Sequence, residues 1–129
     1  QGPTLAMKAA LKKAGVDADK ISYVNAHGTA TPNNDESEST AMVNVFGEKV
    51  PPFSSTKFWT GHTLGACGVL ELALSAEMLK RQQILPTRNF KKVERLIPVC
   101  KMEKAELEYI MTNSFGFGGG ATSIIIKRV

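Results

Sequence analysis

The apolar residues of this chain repeat with a helical period in some segments and a strand period in others, and this pattern predicts the elements. Between Pro3 and Gly15 they recur at helical spacing, with proline in the first turn and glycine as a stop, which predicts a first helix. Residues 21–25 are β-branched and aromatic and predict a short strand. A second helix is predicted to begin with the cap at Thr31–Pro32 and to end at Gly47.

The second half of the chain continues the alternation. A strand is predicted at residues 53–56, and a third helix at about residues 64–81. Apolar residues cover most of the circumference of that helix, which predicts burial on nearly all sides. Two closing strands, at residues 109–112 and 122–126, are joined by a glycine-dense turn. The pattern therefore predicts an α/β fold, a layered mixed sheet with helices on both faces.

The composition is that of one globular domain with a modest positive charge. A length of 129 residues suits one domain, and an apolar content of 43% is enough to close a core. The 16 Lys and Arg against 12 Asp and Glu leave a net charge of +4, spread over separate pairs such as Lys12–Lys13 and Lys91–Lys92. No basic stripe interleaved with aromatic residues is present, so nucleic acid is not an expected partner. No apolar run approaches the roughly 18–20 residues that cross a bilayer, so no membrane span is expected.

The cysteines and the first residues indicate where the chain belongs. Cys67 and Cys100 lie far apart, form no C-x-x-C motif and allow a single pairing, which is no disulfide framework, so we expect free thiols in a cytoplasmic protein. Cys67 lies near the start of the third predicted helix among small residues, which favours a packing role over catalysis. The start at Gln1 lacks both an initiator Met and a signal-peptide profile, so we expect a piece of something longer.

The only two histidines are the first candidates for chemistry. His27 and His62 each lie beside glycine, between a predicted strand and a predicted helix. Because loops and helix N-termini converge at the carboxyl ends of parallel strands, both imidazoles are expected at one rim of the sheet. A structural role is the usual alternative for a lone core histidine, and two histidines in matching positions favour an active site.

Four motifs, in their order and spacing, resemble those of one enzyme family. They are Asn-Ala-His-Gly-Thr-Ala-Thr-Pro at 25–32, Ser-Thr-Lys at 55–57, Thr-Gly-His at 60–62 and Asn-Ser-Phe-Gly-Phe-Gly-Gly at 113–119. They are similar to motifs in the C-terminal half of the β-ketoacyl-acyl carrier protein synthases, the elongating condensing enzymes of fatty-acid and polyketide synthesis. The resemblance extends from about Leu5 to Arg128.

The resemblance implies a fold and a reaction. The fold is thiolase-like, with two similar α/β halves, and residues 1–129 would be the C-terminal half, the N-terminal half with its acyl-accepting cysteine being absent. The reaction is a decarboxylative Claisen condensation that extends acyl chains with malonyl units. The expected partners are acyl carrier protein and the missing half, and the complete enzyme is expected to be a homodimer. No cofactor and no metal are expected, because phosphopantetheine arrives on the carrier protein. The isolated chain is expected to be inactive.

The resemblance also implies catalytic residues. His27 and His62 are similar to the family's two catalytic histidines, the pattern of elongating rather than initiating synthases. Lys57 matches the lysine before the second histidine, and Glu71 matches the glutamate that pairs with it. Glu71 also stands between two leucines on an apolar helix, where an unpaired carboxylate is costly, so a partner is required.

Further residues match the substrate side of the family. Thr29 and Thr31 resemble the threonines that hold the phosphopantetheine arm, with local turn capping as the alternative. Phe115 belongs to the same set, and Phe117 resembles the gating phenylalanine that admits the acyl chain. Glycine on both sides of Phe117 leaves the backbone free to move, with a simple glycine-rich hairpin as the alternative.

Some acidic and aromatic positions are ambiguous. Asp35 and Glu38 match acidic positions of the family, but capping of the second helix is the simpler interpretation. Phe58–Trp59 stands where smaller or thinner residues are usual, and Gly120–Ala121 replaces a Thr-Asn pair expected to brace the last turn. That turn is therefore expected to be looser.

Two other function classes remain open. One is a non-catalytic partner subunit, like a chain-length factor, which pairs with a synthase and shapes its acyl tunnel. The other is a free-standing binding domain for acyl or pantetheine groups, which requires a polar surface. The two histidines favour the enzyme, and the apolar third helix argues against the free-standing domain.

Overall fold

The sheet is mixed, as the sequence predicts. The computed structural model describes residues 1–90 and 96–129, so the Lys91–Lys92 pair lies outside the described residues. The strands are β1 Ile21–Asn25, β2 Phe53–Ser54, β3 Gln83–Ile84, β4 Glu103–Lys104, β5 Tyr109–Phe115 and β6 Ala121–Lys127. The main sheet has the order β2-β1-β5-β6, while β3 and β4 pair separately. β1 runs parallel to β2 and β5, and β5 and β6 form an antiparallel hairpin.

The first three helices end at a glycine that follows them in the sequence. They are α1 Gly2–Ala14, α2 Pro32–Phe46, the short α3 Lys57–Thr60 and α4 Cys67–Arg81. Gly15 ends α1 in the left-handed conformation at φ 63°, and the Thr31 side chain caps α2 by accepting a hydrogen bond from the Asn34 N–H. Among the described residues, no helix has the length and apolar character required to span a membrane.

The helices cover both faces of the sheet, which confirms the predicted fold class. On one face Met7 of α1 and Met42 of α2 pack against Met111 of β5. On the other face Met78 of α4 packs with Ile110 of β5. Because successive residues of a strand point to opposite faces, Ile110 and Met111 each supply one layer of the core.

The third helix differs from its prediction. Its α-helical part begins at Cys67, after a 3₁₀ turn at Leu64–Ala66. Burial on nearly all sides is wrong for this chain, since Val69 is 72% exposed, whereas Glu71 and Ser75 are buried. The helix thus turns a polar face toward the sheet and leaves part of its apolar face uncovered.

The predicted strands also change in length. The strand predicted at residues 53–56 covers only Phe53–Ser54. The closing strands are longer than predicted, because the pairing of β5 with β6 continues to Phe115 opposite Ala121. Motif residues 113–115 therefore lie in a strand and not in the turn.

We expect the β5 core position to be strongly stabilising. Ile110→Ala removes a fully buried side chain and should lower the free energy of unfolding by about 2–5 kcal/mol, measured by urea denaturation. The matched control is Ile124→Ala on the neighbouring strand, where the side chain is 39% exposed and the loss should stay below about 1 kcal/mol. Equal losses in the two variants would contradict this assignment of the core.

Candidate active site

The turn after β1 is held by one buried carboxylate. The backbone N–H groups of His27 and Gly28 donate to the two oxygens of Glu38, each at 2.9 Å. Asn34 Nδ2 donates to the same carboxylate at 3.3 Å, and Asn113 Nδ2 donates at 3.4 Å. Burial raises the pKa of the Glu38 carboxyl, and these four donors oppose the rise. Glu38 therefore does not cap α2; it positions the backbone that carries His27.

Asp35 has the simpler role. It lies exposed in the first turn of α2, where a negative charge is favourable beside the positive end of the helix dipole. Its carboxylate accepts a hydrogen bond from Asn34 Nδ2 at 3.4 Å.

A glycine brings the loops after β1 and β2 together. Gly28 has φ +46°, and a Cβ there would lie 2.4 Å from Ser55 Cβ. Ser55 Oγ donates to the Gly28 carbonyl at 2.9 Å. No larger residue fits at this position unless one of the two loops moves. The closeness of His27 to Lys57, which begins α3 after the loop that carries Ser55, therefore depends on Gly28.

Lys57 connects the histidine to α4. Its Nζ forms an ion pair with Glu71 and lies 3.4 Å from His27 Nδ1. Both side chains of the pair are buried, at 7% and 1% exposure. Burial raises the pKa of the Glu71 carboxyl, and the Lys57 ammonium opposes that rise. Among the described residues, Glu71 Oε2 has no hydrogen-bond partner.

The polar face of α4 is attached to the end of β1. Asn25 Nδ2 donates to the Glu71 carbonyl at 3.2 Å and to Ser75 Oγ at 3.1 Å. Ser75 Oγ in turn donates to the Glu71 carbonyl at 2.7 Å. These bonds between the sheet and the backbone of α4 hold the Glu71 side chain in reach of Lys57.

The two imidazoles lie together at the rim expected for them. The ring centroids of His27 and His62 are 5.5 Å apart, with the rings nearly perpendicular at 83°. His27 is buried, whereas His62 lies in an exposed loop after α3. Burial, the Lys57 ammonium and His62 together lower the pKa of the His27 imidazole to about 4. His27 is therefore neutral at pH 7.

The threonines at the mouth of the turn contact each other. The hydroxyls of Thr29 and Thr31 are 3.2 Å apart. Thr31 Oγ1 also accepts from the Asn34 N–H at 3.4 Å, so the capping alternative holds for this residue. Among the described residues Thr29 makes no capping bond of this kind, and it is partly exposed.

The two phenylalanines of the last motif have different surroundings. The Phe115 ring lies 5.7 Å from the His27 ring, between centroids. Phe117 is fully exposed in the turn and is not brought onto the imidazoles. The Gly116 N–H donates to the Gly120 carbonyl at 2.8 Å, so a backbone bond closes this turn where a side-chain amide was expected to brace it.

The aromatic pair before His62 packs on a neighbouring loop. The Phe58 and Trp59 rings meet edge to face, with centroids 5.3 Å apart. Trp59 Nε1 donates to the Pro86 carbonyl at 3.2 Å. Both residues remain about half exposed.

Sequence reasoning missed one residue of the candidate site, Cys67, which lies in a cluster with His27 and Glu71. Cys67, interpreted as a packing residue, is buried and lies with its Sγ 3.6 Å from Ser114 Oγ. Its sulfur, a ring nitrogen of His27 and a carboxylate oxygen of Glu71 all lie within 4.8 Å of one another. The available signal was the spacing of Cys67 and Glu71, one helical turn apart on the same face of α4.

Comparison with known families matches most of this chain. The family model for the beta-ketoacyl synthase C-terminal domain matches residues 1–91. The chain is 43% identical over 136 residues to 3-oxoacyl-[acyl-carrier-protein] synthase 2 of Vibrio cholerae, covering 99% of this chain and 33% of that protein. It spans about a third of the length of the curated relatives it matches.

Two solved structures show the same fold. The ishigamide ketosynthase/chain length factor superimposes with a TM-score of 0.95 at 29% identity, over 98% of this chain and 32% of that one. The second structure is a type II polyketide synthase acyl-carrier protein in complex with its ketosynthase bound to the hexaketide. It superimposes with a TM-score of 0.93 at 28% identity, over 99% of this chain and 33% of that one. The thiolase-like ketosynthase fold predicted from the motifs is confirmed.

We expect the His27 imidazole to stay neutral well below its ordinary pKa of 6.5, to about pH 4. Between pH 6.5 and about pH 4, His27 is protonated in the unfolded chain but neutral in the folded chain. Protonation therefore favours the unfolded chain, and the free energy of unfolding falls as the pH is lowered through this range. Histidine NMR titration measures the pKa, and denaturation of His27→Gln, compared with the wild type, measures the linked stability.

A second variant, Lys57→Met, removes one positive charge beside the imidazole and should raise the pKa of His27. The pKa should stay below 6.5, because burial is the larger cause of the shift. A titration of His27 near pH 6.5 in the wild-type chain would contradict the electrostatic description of the site.

Proposed function

The chain belongs to the beta-ketoacyl synthase family, and from this we propose that it is the histidine-bearing half of a 3-oxoacyl-acyl carrier protein synthase. Such a synthase extends acyl chains with malonyl units by decarboxylative Claisen condensation. The observation that carries the proposal is the pair of imidazoles at 5.5 Å, backed by the buried Lys57–Glu71 ion pair.

The chemistry needs hydrogen-bond donors for a developing negative charge. When a malonyl thioester loses carbon dioxide, the electrons of the broken C–C bond pass to the thioester oxygen as an enolate. That enolate carbon then attacks the acyl thioester, whose thiolate leaves. Two imidazole N–H groups placed in advance would stabilise the enolate oxygen without reorganisation during the reaction.

The contacts of His27 support the donor role. An ammonium group only donates, so the Lys57 contact requires Nδ1 of His27 to accept. In a neutral ring the hydrogen is then carried by Nε2, which is free to donate to a substrate oxygen. Glu71 acts as a positioning residue, because its charge keeps the ammonium in this place.

The substrate side is assigned to four residues. We propose that the Thr29 and Thr31 hydroxyls hold the amides of the phosphopantetheine arm, consistent with their 3.2 Å contact at the exposed mouth of the turn. Phe115 would line the acyl side next to His27, and Phe117 would act as a gate. The backbone at Gly118, with φ 79°, is in a conformation that favours glycine. Glycine on both sides of Phe117 gives the backbone the freedom that a gate requires.

The nucleophile is proposed to lie outside these residues. Cys67 is buried in contact with Ser114, and Cys100 is exposed and far in sequence from the histidines. A condensing synthase needs a thiolate that carries the acyl chain to the enolate. We therefore propose that an N-terminal half supplies this cysteine and covers the exposed Val69.

The same proposal extends to the partners of the complete enzyme. Acyl carrier protein delivers the substrates, the complete enzyme is a homodimer, and no resident cofactor takes part.

A subunit like a chain-length factor is the second candidate. Its support is the similarity to the ishigamide ketosynthase/chain length factor. A subunit that only shapes a tunnel has no need for a buried ion pair aimed at a neutral imidazole, so the His27, Lys57 and Glu71 contacts favour the catalytic role. The free-standing binding domain is disfavoured, since Leu64 and Val69 are about 70% exposed where it requires a polar surface.

We expect both histidines to act in decarboxylation. In the complete synthase, His27→Ala or His62→Ala should lower the release of carbon dioxide from malonyl-acyl carrier protein by about 100-fold or more, the loss typical of one oxyanion donor. Acyl transfer to the cysteine, measured by mass spectrometry, should fall less.

Cys100→Ala is the matched control and should retain the wild-type rate, because Cys100 is exposed and outside the cluster. The 129-residue chain alone should release no carbon dioxide. Undiminished release by either histidine variant would remove these residues from the mechanism.

We expect Phe117→Ala to loosen admission of the acyl chain. In the complete synthase it should reduce the discrimination between short and long acyl donors, while the fold, checked by circular dichroism, stays intact because the side chain is fully exposed here. Phe58→Ala, a second exposed aromatic truncation, is the control and should leave the discrimination unchanged. Identical acylation rates and selectivity in Phe117→Ala and the wild type would eliminate the gate.

A further inference from the structure

Three side chains able to bind a metal, one imidazole, one thiol and one carboxylate, lie close together in the candidate site. One ring nitrogen of His27, the Cys67 sulfur and one carboxylate oxygen of Glu71 lie within 4.8 Å of one another. All three residues are more than nine-tenths buried. His27 lies in the turn after β1, while Cys67 and Glu71 lie one helical turn apart on α4.

The spacing suits a small tetrahedral ion. Zinc binds sulfur at about 2.3 Å and nitrogen or oxygen at about 2.0–2.2 Å, which places neighbouring ligand atoms roughly 3.4–3.8 Å apart. A pair of ligand atoms at the full 4.8 Å therefore has to close by roughly 1.0–1.4 Å. The mixed thiolate, imidazole and carboxylate set favours zinc and related thiophilic ions over magnesium or calcium, which prefer oxygen alone.

The site already attracts a positive charge. Lys57 Nζ contacts Glu71 and lies 3.4 Å from His27 Nδ1, so an ammonium now neutralises this position. Independently, Glu71 Oε2 is buried and has no hydrogen-bond partner among the residues that the structure describes. A buried carboxylate oxygen without a partner is costly, and a bound cation would satisfy it.

We propose that His27, Cys67 and Glu71 form a binding site for a zinc-class divalent ion, which competes with the Lys57 ammonium for the Glu71 carboxylate. On binding, the Cys67 thiol loses its proton to solvent, and sulfur, nitrogen and oxygen each donate an electron pair to the ion. The Lys57 side chain leaves the carboxylate. The ion is an inhibitor of the site and not a cofactor, since it occupies a nitrogen of His27 and removes its lysine partner; this inhibitory consequence rests on the proposed function, whereas the binding does not.

The test is direct metal binding to the 129-residue chain, with Zn²⁺ as the probe. Competition against a chromophoric chelator should show one ion per chain. Cys67→Ala should weaken binding by at least about 100-fold, since loss of an outer-shell partner alone costs 10–100-fold. Lys57→Met should bind more tightly than the wild type, because the competing ammonium is gone, a result that a site elsewhere on the surface would not produce.

Co²⁺ and the second cysteine complete the experiment. Co²⁺ replaces zinc at thiolate sites and gives a sulfur-to-metal charge-transfer band. The chain has only two cysteines, so a band retained in Cys100→Ala comes from Cys67, and this arm decides the question even if Cys67→Ala fails to fold. Unchanged zinc affinity in folded Cys67→Ala, loss of the band in Cys100→Ala, or no binding by the wild type would each overturn the proposal. Because activity is not measured, these outcomes leave the condensing function untouched.

Discussion

The Glu38 carboxylate is the contact on which the arrangement of the site depends. It receives the N–H groups of His27 and Gly28 from the turn after β1, Asn34 from its own helix and Asn113 from β5. Ser123 of β6 donates to Asn113 at 2.7 Å, which extends the network to the edge of the sheet. A buried carboxylate is costly unless its oxygens accept hydrogen bonds, and these four donors satisfy both oxygens of Glu38. The turn, the helix and the hairpin are thereby held in one geometry.

The chemistry of the site follows from burial combined with unequal charges. The Lys57–Glu71 pair sits in the interior, where removing one partner would leave the other charge unpaired. The ammonium also faces His27 and, together with burial, keeps that ring neutral. Burial is thus the larger cause of the neutral imidazole, and the Lys57 ammonium adds to it and selects the ring nitrogen that carries the hydrogen.

The orientation of α4 shows why helical periodicity alone misled the prediction. The helix is rich in apolar residues, but Asn25 at the end of β1 bonds to the Glu71 carbonyl and to Ser75. The buried face is therefore the one that carries Cys67, Glu71 and Ser75, and Val69 is left at the surface of this chain. Hydrophobic counting identifies the helix, whereas hydrogen bonds decide which side faces the sheet.

The sequence by itself determined the α/β class, the order of the main elements and the candidate histidines, because these depend on local period, caps and motif spacing. Strand 21–25 matches its prediction, and α1 and α2 match within a residue or two, since proline, threonine and glycine act on the adjacent backbone. Only the tertiary structure decided three features of the site. They are the distance between His27 and His62, the hydrogen-bond partners of Glu38 and the closeness of Cys67 to His27. These contacts join residues distant along the chain, and their distances depend on how the sheet, α2 and α4 pack together, a geometry that no local pattern encodes.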